Sequence, residues 1–380
     1  MNTPAILALE DGTLFHGRSL GAAGLAVGEV CFNTNAAGYA SVLTDPAYRG
    51  LLVAMTYPHV GNVGMSAVAA ESAAAQPSGL IARDLSLIAS SWRAEQSLQD
   101  YLVANGVVAI DGIDTRKLTR LLREGGAQRG CIMVGAAVDP DAAVAQARGF
   151  AGLQGRDLVA EVSTAQPYQW LRGSWQLSDG VADSPERDPA SLPWHVVVLD
   201  LGVRRSLLRQ LVDAGCRLTV LPARTSVAEI QVLQPHGLVL AGGPGDPAAC
   251  GYAIDTVRQL LAQDLPILGM GLGHSLLALA CGASTFKMKL GRHGANHPVQ
   301  DLVTKRVEIV RLSYGFAVDE ATLPAELQVT HRSLFDHSLQ GFRHGQRPVL
   351  GFQGEPVAGF DPRQPAAQIA SFLELMAAAK

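Results

Sequence analysis

The chain has 380 residues, of which 48 % are hydrophobic and 17 % are charged, and its formal net charge is −4. This balance is typical of a globular protein with about two domains and excludes extensive disorder. The small negative charge creates no field that would attract nucleic acid or an anionic membrane, so small molecules or another protein are the expected partners.

The cysteines and the N-terminal segment give a further expectation about location. The five cysteines are scattered, odd in number and without CxxC spacing, which predicts reduced core thiols and neither a disulfide framework nor a metal site. The N-terminal segment has no basic start and no long apolar run, so no signal peptide is expected. We therefore expect a cytoplasmic protein.

Short strands dominate the first part of the chain. Alternating apolar residues flank Asp11-Gly12, which is a two-residue hairpin signal. An apolar strand resumes at Cys131, and the first domain is expected to end near Gly152. Further strands are predicted at 29–33, 51–56 and 79–82.

One amphipathic helix stands apart from these strands. Asp114 is a good N-cap, and Gly125-Gly126 closes the helix. One side is apolar, while the opposite side is basic, with Arg116, Lys117, Arg120 and Arg123. The basic side is either an interaction site for a partner or an anionic ligand, or a solvated face; the pattern favours the solvated face.

Residues 153–192 are rich in polar residues and proline, which indicates a linker before a second domain at 193–380. From His195 onward, strands alternate with helices. This alternation predicts a parallel sheet covered on both faces. Strands are predicted at 195–202, 217–222 and 237–241, and helices at 204–214 and 252–262.

The stretch 265–283, LPILGMGLGHSLLALACGA, predicts a strand, a glycine-rich turn and a helix. Nucleophile elbows have this form, with the reactive side chain at positive φ between glycines. The centre of this turn is Gly271, which carries no side chain. Three alternatives compete for this stretch. A membrane span is disfavoured by its four glycines, and a dinucleotide-binding loop is disfavoured because the third glycine of the G-x-G-x-x-G motif is absent. The third alternative, a plain core strand and helix, is disfavoured by the rest of the chain.

The loop GGPGDP ends the preceding predicted strand. Because ligands collect at the carboxyl ends of parallel strands, this loop and the Gly271 turn should face one pocket. The amides around Gly243 and Gly245 could form an oxyanion hole or an anion nest, although a simple turn is the alternative.

These motifs resemble the small, glutamine-hydrolysing subunit of carbamoyl-phosphate synthetase over essentially the whole chain. The matching runs in the first domain are LEDGTLFHG, GEVCFNT, GYASVLTDPAY, TYPHVGNVG and IDTRKLTRLLREGGAQRG; those in the second are GGPGDP, GLGHSLLALACGA, HGANHPV, GFAVDEATLPA, SLFD and FQGEP. The resemblance implies an α/β protein: a strand-rich small-subunit domain at 1–152, and a class I glutamine amidotransferase-like domain at 193–380 with a mostly parallel sheet flanked by helices.

The resemblance also implies an activity and a partner. The small subunit hydrolyses glutamine with a Cys-His-Glu triad, and ammonia passes through a channel to a large subunit that makes carbamoyl phosphate for pyrimidine and arginine biosynthesis. We expect no cofactor or metal in this chain, since ATP and Mg belong to the large subunit.

The triad itself does not carry over. The family's cysteine falls on Gly271, its histidine on Glu355 and its glutamate on Val357. Glutamine-holding positions are also changed, to Ala47, Ser275 and Ser313. The pocket positions that match the family mostly offer backbone groups or apolar contact: Gly243, Gly245, Leu272, Gly315 and Phe316.

Three hypotheses follow. The leading one is a pseudoenzyme: a subunit whose glutaminase is silent and which acts as a structural or regulatory partner of an ammonia-using large subunit. The second is a stand-alone, repurposed ligand-binding protein whose altered pocket is lined by Glu355, Tyr314, His274 and backbone amides. The third is an active glutaminase, in which Cys250 or Cys281 would have to replace the missing thiol. We expect structural roles for His274, His293 and His297.

Overall fold

The computed structural model describes residues 3–36, 38–86, 88–179, 183–356 and 365–379. The chain forms two compact units. The first comprises Met1–Gln154 with Lys289–Gly294, and the second comprises Gly155–Met288 with Ala295–Lys380. The sequence-based boundaries at 152 and 192 stay predictions.

The first unit is built mainly from strands. Its elements are β1 (Pro4–Leu9), β2 (Leu14–Ser19), β3 (Gly24–Asn33), α1 (Tyr39–Thr44), β4 (Leu51–Met55), β5 (His59–Val60), β6 (Gly79–Ile81), β7 (Asp84–Leu85), α2 (Leu98–Ala104), β8 (Val108–Asp111), α3 (Thr115–Gly125), β9 (Gln128–Val134) and α4 (Pro140–Gly149).

These strands close into a barrel in the order β1-β2-β8-β6-β4-β3-β9. The predicted hairpin is confirmed, because β1 pairs antiparallel with β2 around Asp11-Gly12. The barrel closes where β1 pairs with β9, with Ala5 opposite Val134. Closure leaves no exposed barrel edge and encloses an apolar core.

Helix α3 is the predicted amphipathic helix. The Asp114 carboxylate accepts a hydrogen bond from the Lys117 N–H at 2.9 Å, which satisfies one of the free donors of the first turn. Gly126, with φ 102°, follows its last residue. Leu118 and Leu122 are fully buried in the barrel core and so anchor the helix.

The second unit contains most of the helices. Its elements are α5 (Val159–Val162), β10 (Tyr168–Trp170), β11 (Trp194–Asp200), α6 (Arg205–Asp213), β12 (Cys216–Pro222), α7 (Val227–Val232), β13 (Gly237–Ala241), α8 (Gly251–Leu261), β14 (Ile267–Met270), α9 (Leu272–Ala280), β15 (Thr285–Asp301, its middle grouped with the first unit), β16 (Val307–Val318), β17 (Leu327–Ser333), β18 (Leu339–His344), β19 (Val349–Phe352), β20 (Glu355–Pro356) and α10 (Ala367–Ala378).

The sheet of this unit has a parallel centre, as the sequence predicted. Strands β12, β11, β13, β14 and β19 run parallel, and antiparallel strands extend the sheet on both sides. Because side chains alternate along a strand, Val197 of β11 packs against α8 and α9, while Val198 packs against α6 and α10. The parallel strands are therefore buried on both faces, and their carboxyl ends are left for a site.

Each helix among the described residues is too short or too polar to span a bilayer.

Candidate functional site

The predicted turn lies at the carboxyl end of β14. Gly271 connects β14 directly to α9 and has φ 58° and ψ −121°. Its N–H donates to the Phe352 carbonyl at 3.1 Å, and its carbonyl accepts from the His274 N–H at 3.1 Å. The turn is thus fixed by hydrogen bonds on both sides and has the strand–turn–helix form of a nucleophile elbow.

The glycines of this turn have different steric surroundings. A Cβ on Gly273 would lie 2.1 Å from the Leu240 carbonyl oxygen, and one on Gly269 would lie 2.6 Å from the Gly273 carbonyl oxygen. A Cβ on Gly271 would meet nothing closer than 3.6 Å, which is ordinary van der Waals contact with Gly242. Gly271, the residue without a nucleophile, is therefore the one position of the three with space for a side chain.

Backbone donors lie beside this space. The GGPGDP loop is adjacent to the turn, since the Gly242 N–H donates to the Met270 carbonyl at 3.2 Å. Gly243 has φ 115°, and its Cβ would lie 2.6 Å from Leu272 Cδ2, so the loop and the start of α9 are packed as closely as glycine permits. The N–H groups of Leu272 and Gly273, the first two residues of α9, precede the first hydrogen bond of the helix, which His274 donates to Gly271. This is the arrangement expected of an oxyanion hole or anion nest.

Glu355, where the family's histidine is expected, is paired with an arginine. Its carboxylate accepts a hydrogen bond from Arg204 Nη1. The Arg204 side chain is 2 % exposed and that of Glu355 is 16 % exposed, so the ion pair is largely removed from water. A carboxylate held by a buried guanidinium is stabilised in its charged form and is a poor acceptor for a thiol proton. Val357 lies outside the described residues.

Gln353 comes directly after β19 and lies beside the Gly271 turn. Its side-chain amide donates to the Gly271 carbonyl at 3.4 Å and accepts from the Ser275 hydroxyl at 3.4 Å. Both residues are buried, with 4 % and 2 % exposure for Gln353 and Ser275. Ser275 is therefore turned toward a protein amide, and both bonds are long enough to be weak.

Comparisons with known proteins bear on both units. Residues 7–132 match the family described as carbamoyl-phosphate synthase small chain, CPSase domain, and residues 197–365 match glutamine amidotransferase class-I. The carbamoyl phosphate synthase small chain of Photorhabdus laumondii is 54 % identical over 373 residues, covering 98 % of this chain and 96 % of that relative. The small chains of Thioalkalivibrio sulfidiphilus and Escherichia coli are 54 % and 52 % identical over 374 residues, each covering 98 % of this chain and 97 % of the relative.

The chain belongs to the carbamoyl-phosphate synthase small chain family.

Membership in the small-chain family raises the question of a substitute nucleophile. Burial raises the pKa of the Cys250 thiol to about 12, and the Asp157 carboxylate, 3.8 Å away, adds to this rise. Burial also raises the pKa of Cys281 to about 11. With these raised pKa values, neither thiol is ionised to a useful extent near neutral pH. Because the thiolate is the reactive form, both residues are poor nucleophiles there.

His274 is buried completely and is equally unsuited to chemistry. Its ring lies 4.9 Å from that of Phe342, and within the described part of the chain neither ring nitrogen has a hydrogen-bond partner. Burial lowers the pKa of His274 to about 3, an effect that the nearby Gln353 only partly offsets. The imidazole is therefore neutral at physiological pH and out of reach of a ligand, in line with the structural role expected for it.

The remaining predicted pocket residues lie on other elements. Ala47, in the first unit, donates its N–H to the Asp45 carboxylate at 2.9 Å. Ser313, Gly315 and Phe316 lie on β16, and Lys287 Nζ lies 4.9 Å from the Phe316 ring centroid. Tyr314 accepts a hydrogen bond from Gln340 at 2.9 Å, and Gly245 packs against Leu158.

A metal centre has no support in the described residues, which contain no cluster of three or more histidine, cysteine or acidic side chains suited to an ion. His293 packs its ring 5.4 Å from Tyr48, and His297 lies 5.5 Å from Phe335. Both histidines lie within strand β15 and not in a loop, and their aromatic contacts fit a structural role.

Sequence reasoning missed two residues of the site, Arg204 and Gln353. Arg204 follows the end of β11, where polar side chains of a parallel sheet commonly serve a site. Its position after the strand was a usable signal, whereas its pairing with Glu355, 151 residues away, was not visible in the sequence.

Proposed function

We propose that this chain is a carbamoyl-phosphate synthetase small subunit whose glutaminase is silent. It acts as a structural or regulatory partner of a large subunit that uses free ammonia. The observation that carries the proposal is Gly271: the elbow, its hydrogen bonds and the space for a side chain are present, but the reactive atom is absent.

The surroundings of Gly271 support this proposal. The residue at position 355 is a glutamate, not a histidine, and its carboxylate is paired with Arg204, so this position offers no imidazole base. The thiols of Cys250 and Cys281 have raised pKa values, so little of either is present as the reactive thiolate near neutral pH. Losing a nucleophile and its base typically costs on the order of a millionfold in rate and leaves only about 10³- to 10⁴-fold over water.

The chemistry of the assembly is then divided as follows. ATP and Mg bind to the large subunit, which makes carbamoyl phosphate for pyrimidine or arginine biosynthesis, and this chain contributes contacts but no reaction step. Any ammonia channel that the small subunit contributes would carry no ammonia of its own making.

The decisive experiment uses the purified pair of this chain and the large subunit from the same genome. Carbamoyl phosphate formation is measured with glutamine and with ammonium chloride as the nitrogen source. We expect synthesis with ammonium and none above background with glutamine. Equal rates from both sources would refute the proposal.

A stand-alone ligand-binding protein is the second candidate, because Gly243, at φ 115°, and the start of α9 at Leu272 place backbone N–H groups of the kind that binds anions beside the Gly271 turn. The same preparation distinguishes the two candidates. A chain that forms no stable complex with the large subunit, yet binds a small carboxylate by calorimetry, would favour the repurposed pocket.

A further inference from the structure

The outward face of α3 carries a concentration of charge that the proposed chemistry does not use. Arg116, Lys117, Arg120 and Arg123 are all exposed. They border a groove of about 870 Å³ in the first unit, together with two carboxylates, those of Asp114 and Glu124. Among the described residues, none of the four cations forms an ion pair. We call this surface the α3 basic face.

The spacing of these cations works against the helix. Arg116 and Arg120 are four residues apart, and Arg120 and Arg123 are three apart, so like charges face each other along one side. Asp114 caps the helix and attracts Lys117, and Glu124 lies four residues from Arg120, but the four cations still outnumber these two carboxylates. The apolar side, with Leu118 and Leu122 in the barrel core, holds the helix in place despite this repulsion. A surface that repels itself is stabilised when acidic groups cover it.

The size of the α3 basic face decides which kind of ligand fits. From Arg116 to Arg123 the helix rises about 10 Å at 1.5 Å per residue. One small anion would engage only part of such a row, whereas a protein surface can present several carboxylates along it. Arginine also favours this role, because its guanidinium binds a carboxylate through two parallel hydrogen bonds.

We propose that the α3 basic face is the docking surface for an acidic patch of the large subunit. This inference rests on the proposed function, since it takes the large subunit as the occupant. Arg116 and Arg120 supply the central charges of the contact. The neighbouring Lys117 and Arg123 extend it along the groove.

The test measures the affinity between the full-length chain and its large subunit by biolayer interferometry, at low and at physiological salt. The variant is Arg116→Glu/Arg120→Glu, and the matched control is Lys305→Glu/Arg306→Glu, which reverses two exposed cations between β15 and β16. We expect the dissociation constant to rise on the order of 100-fold in the variant and to change by less than about threefold in the control. Wild-type binding should weaken with salt, and the variant should lose most of that dependence.

A second variant guards against misfolding. Arg116→Gln/Arg120→Gln removes the charges and keeps good helix formers, so its melting temperature should stay at or above that of the wild type, with about tenfold weaker binding.

The outcomes separate the two proposals. If the wild-type chain does not bind the large subunit, the proposed function fails as well. If wild type binds and both α3 variants bind equally well, only the docking surface is wrong. Retention of the wild type on heparin or RNA, with subunit affinity unchanged in the variants, would also overturn it in favour of a polyanion site.

Discussion

The β14–α9 turn and strand β20 differ in what occupies the two positions where catalytic side chains are predicted. At the turn, Gly271 keeps the backbone path and leaves a space whose nearest atom is 3.6 Å from an added Cβ. At β20, the Glu355 carboxylate is joined to the buried guanidinium of Arg204. The turn therefore has free space for a side chain, whereas β20 begins with a carboxylate in a largely buried ion pair. Restoring a side chain should therefore be easy at the first site and costly at the second.

The largest expected effect concerns the ion pair between Arg204 and Glu355. Glu355→Ala removes the carboxylate that pairs with the buried Arg204 guanidinium, so the free energy of unfolding should fall by about 3 to 5 kcal/mol. Urea denaturation of the wild type and the variant measures this loss. In the double variant Arg204→Met/Glu355→Leu most of the stability should return, because both charges are removed together. Equal destabilisation of the single and double variants would show that the ion pair is not what holds this end of the strand.

A steric clash at Gly273, beside the free space at Gly271, should have the next largest effect. Gly273→Ala places a methyl group 2.1 Å from the Leu240 carbonyl oxygen, so α9 or β13 must shift. We expect a loss of about 3 kcal/mol, as for an overpacked core. Gly271→Ala is the matched control, and it should cost only the strain of a Cβ at positive φ, about 1 to 2 kcal/mol. A larger loss at 271 than at 273 would contradict the assignment of free space.

A third prediction concerns a thiol placed at position 271. Gly271→Cys should fold with a loss of about 1 to 2 kcal/mol and still release no glutamate from glutamine, because Glu355 cannot act as the base for the thiol. Gly271→Ser serves as the control for a polar side chain without a thiol. Glutamate release by Gly271→Cys alone, measured in a coupled dehydrogenase assay, would overturn the role assigned to Glu355.

Full restoration is a separate trial. The variant Gly271→Cys/Glu355→His/Val357→Glu supplies all three predicted triad positions but removes the Glu355 carboxylate from the buried Arg204 guanidinium. We expect weak glutamine hydrolysis at most, because Ser275 and Ser313 replace predicted glutamine contacts. The rate of glutamine hydrolysis by the same variant in an Arg204→Met background measures how much the buried charge opposes restoration. Equal rates with and without Arg204 would show that this charge does not oppose it.

The smallest expected effect is a pH dependence that comes from His274. Because burial lowers its pKa to about 3, the unfolded chain binds a proton between about pH 6.5 and 3 that the folded chain does not. This contribution to stability is therefore present above pH 6.5 and decreases as the pH falls, by about 1.4 kcal/mol at pH 5.5. Urea denaturation at pH 7.5 and 5.5 checks this, and His274→Leu should lack that part of the decrease. An unchanged slope in the variant would assign the effect to other groups.

Local pattern was enough to predict the turn, since alternating apolar residues, clustered glycines and a helical apolar side occur within one short stretch. The same holds for α3, whose cap and apolar residues are contiguous. Barrel closure depends on β1 meeting β9, and the ion pair depends on Arg204 meeting Glu355; both join residues far apart in sequence. Burial of Ser275 against Gln353 likewise depends on the packing of α9 beside β19, which no local pattern encodes.

The central claim is that the elbow at Gly271 presents no nucleophile, and glutamine hydrolysis by the complex of this chain with its large subunit tests it most directly. We expect no glutamate above the buffer rate, while ammonium chloride supports carbamoyl phosphate synthesis in the same preparation. Glutamate accumulation at a rate that sustains this synthesis, or a glutamyl thioester trapped on any cysteine of the chain, would contradict the claim.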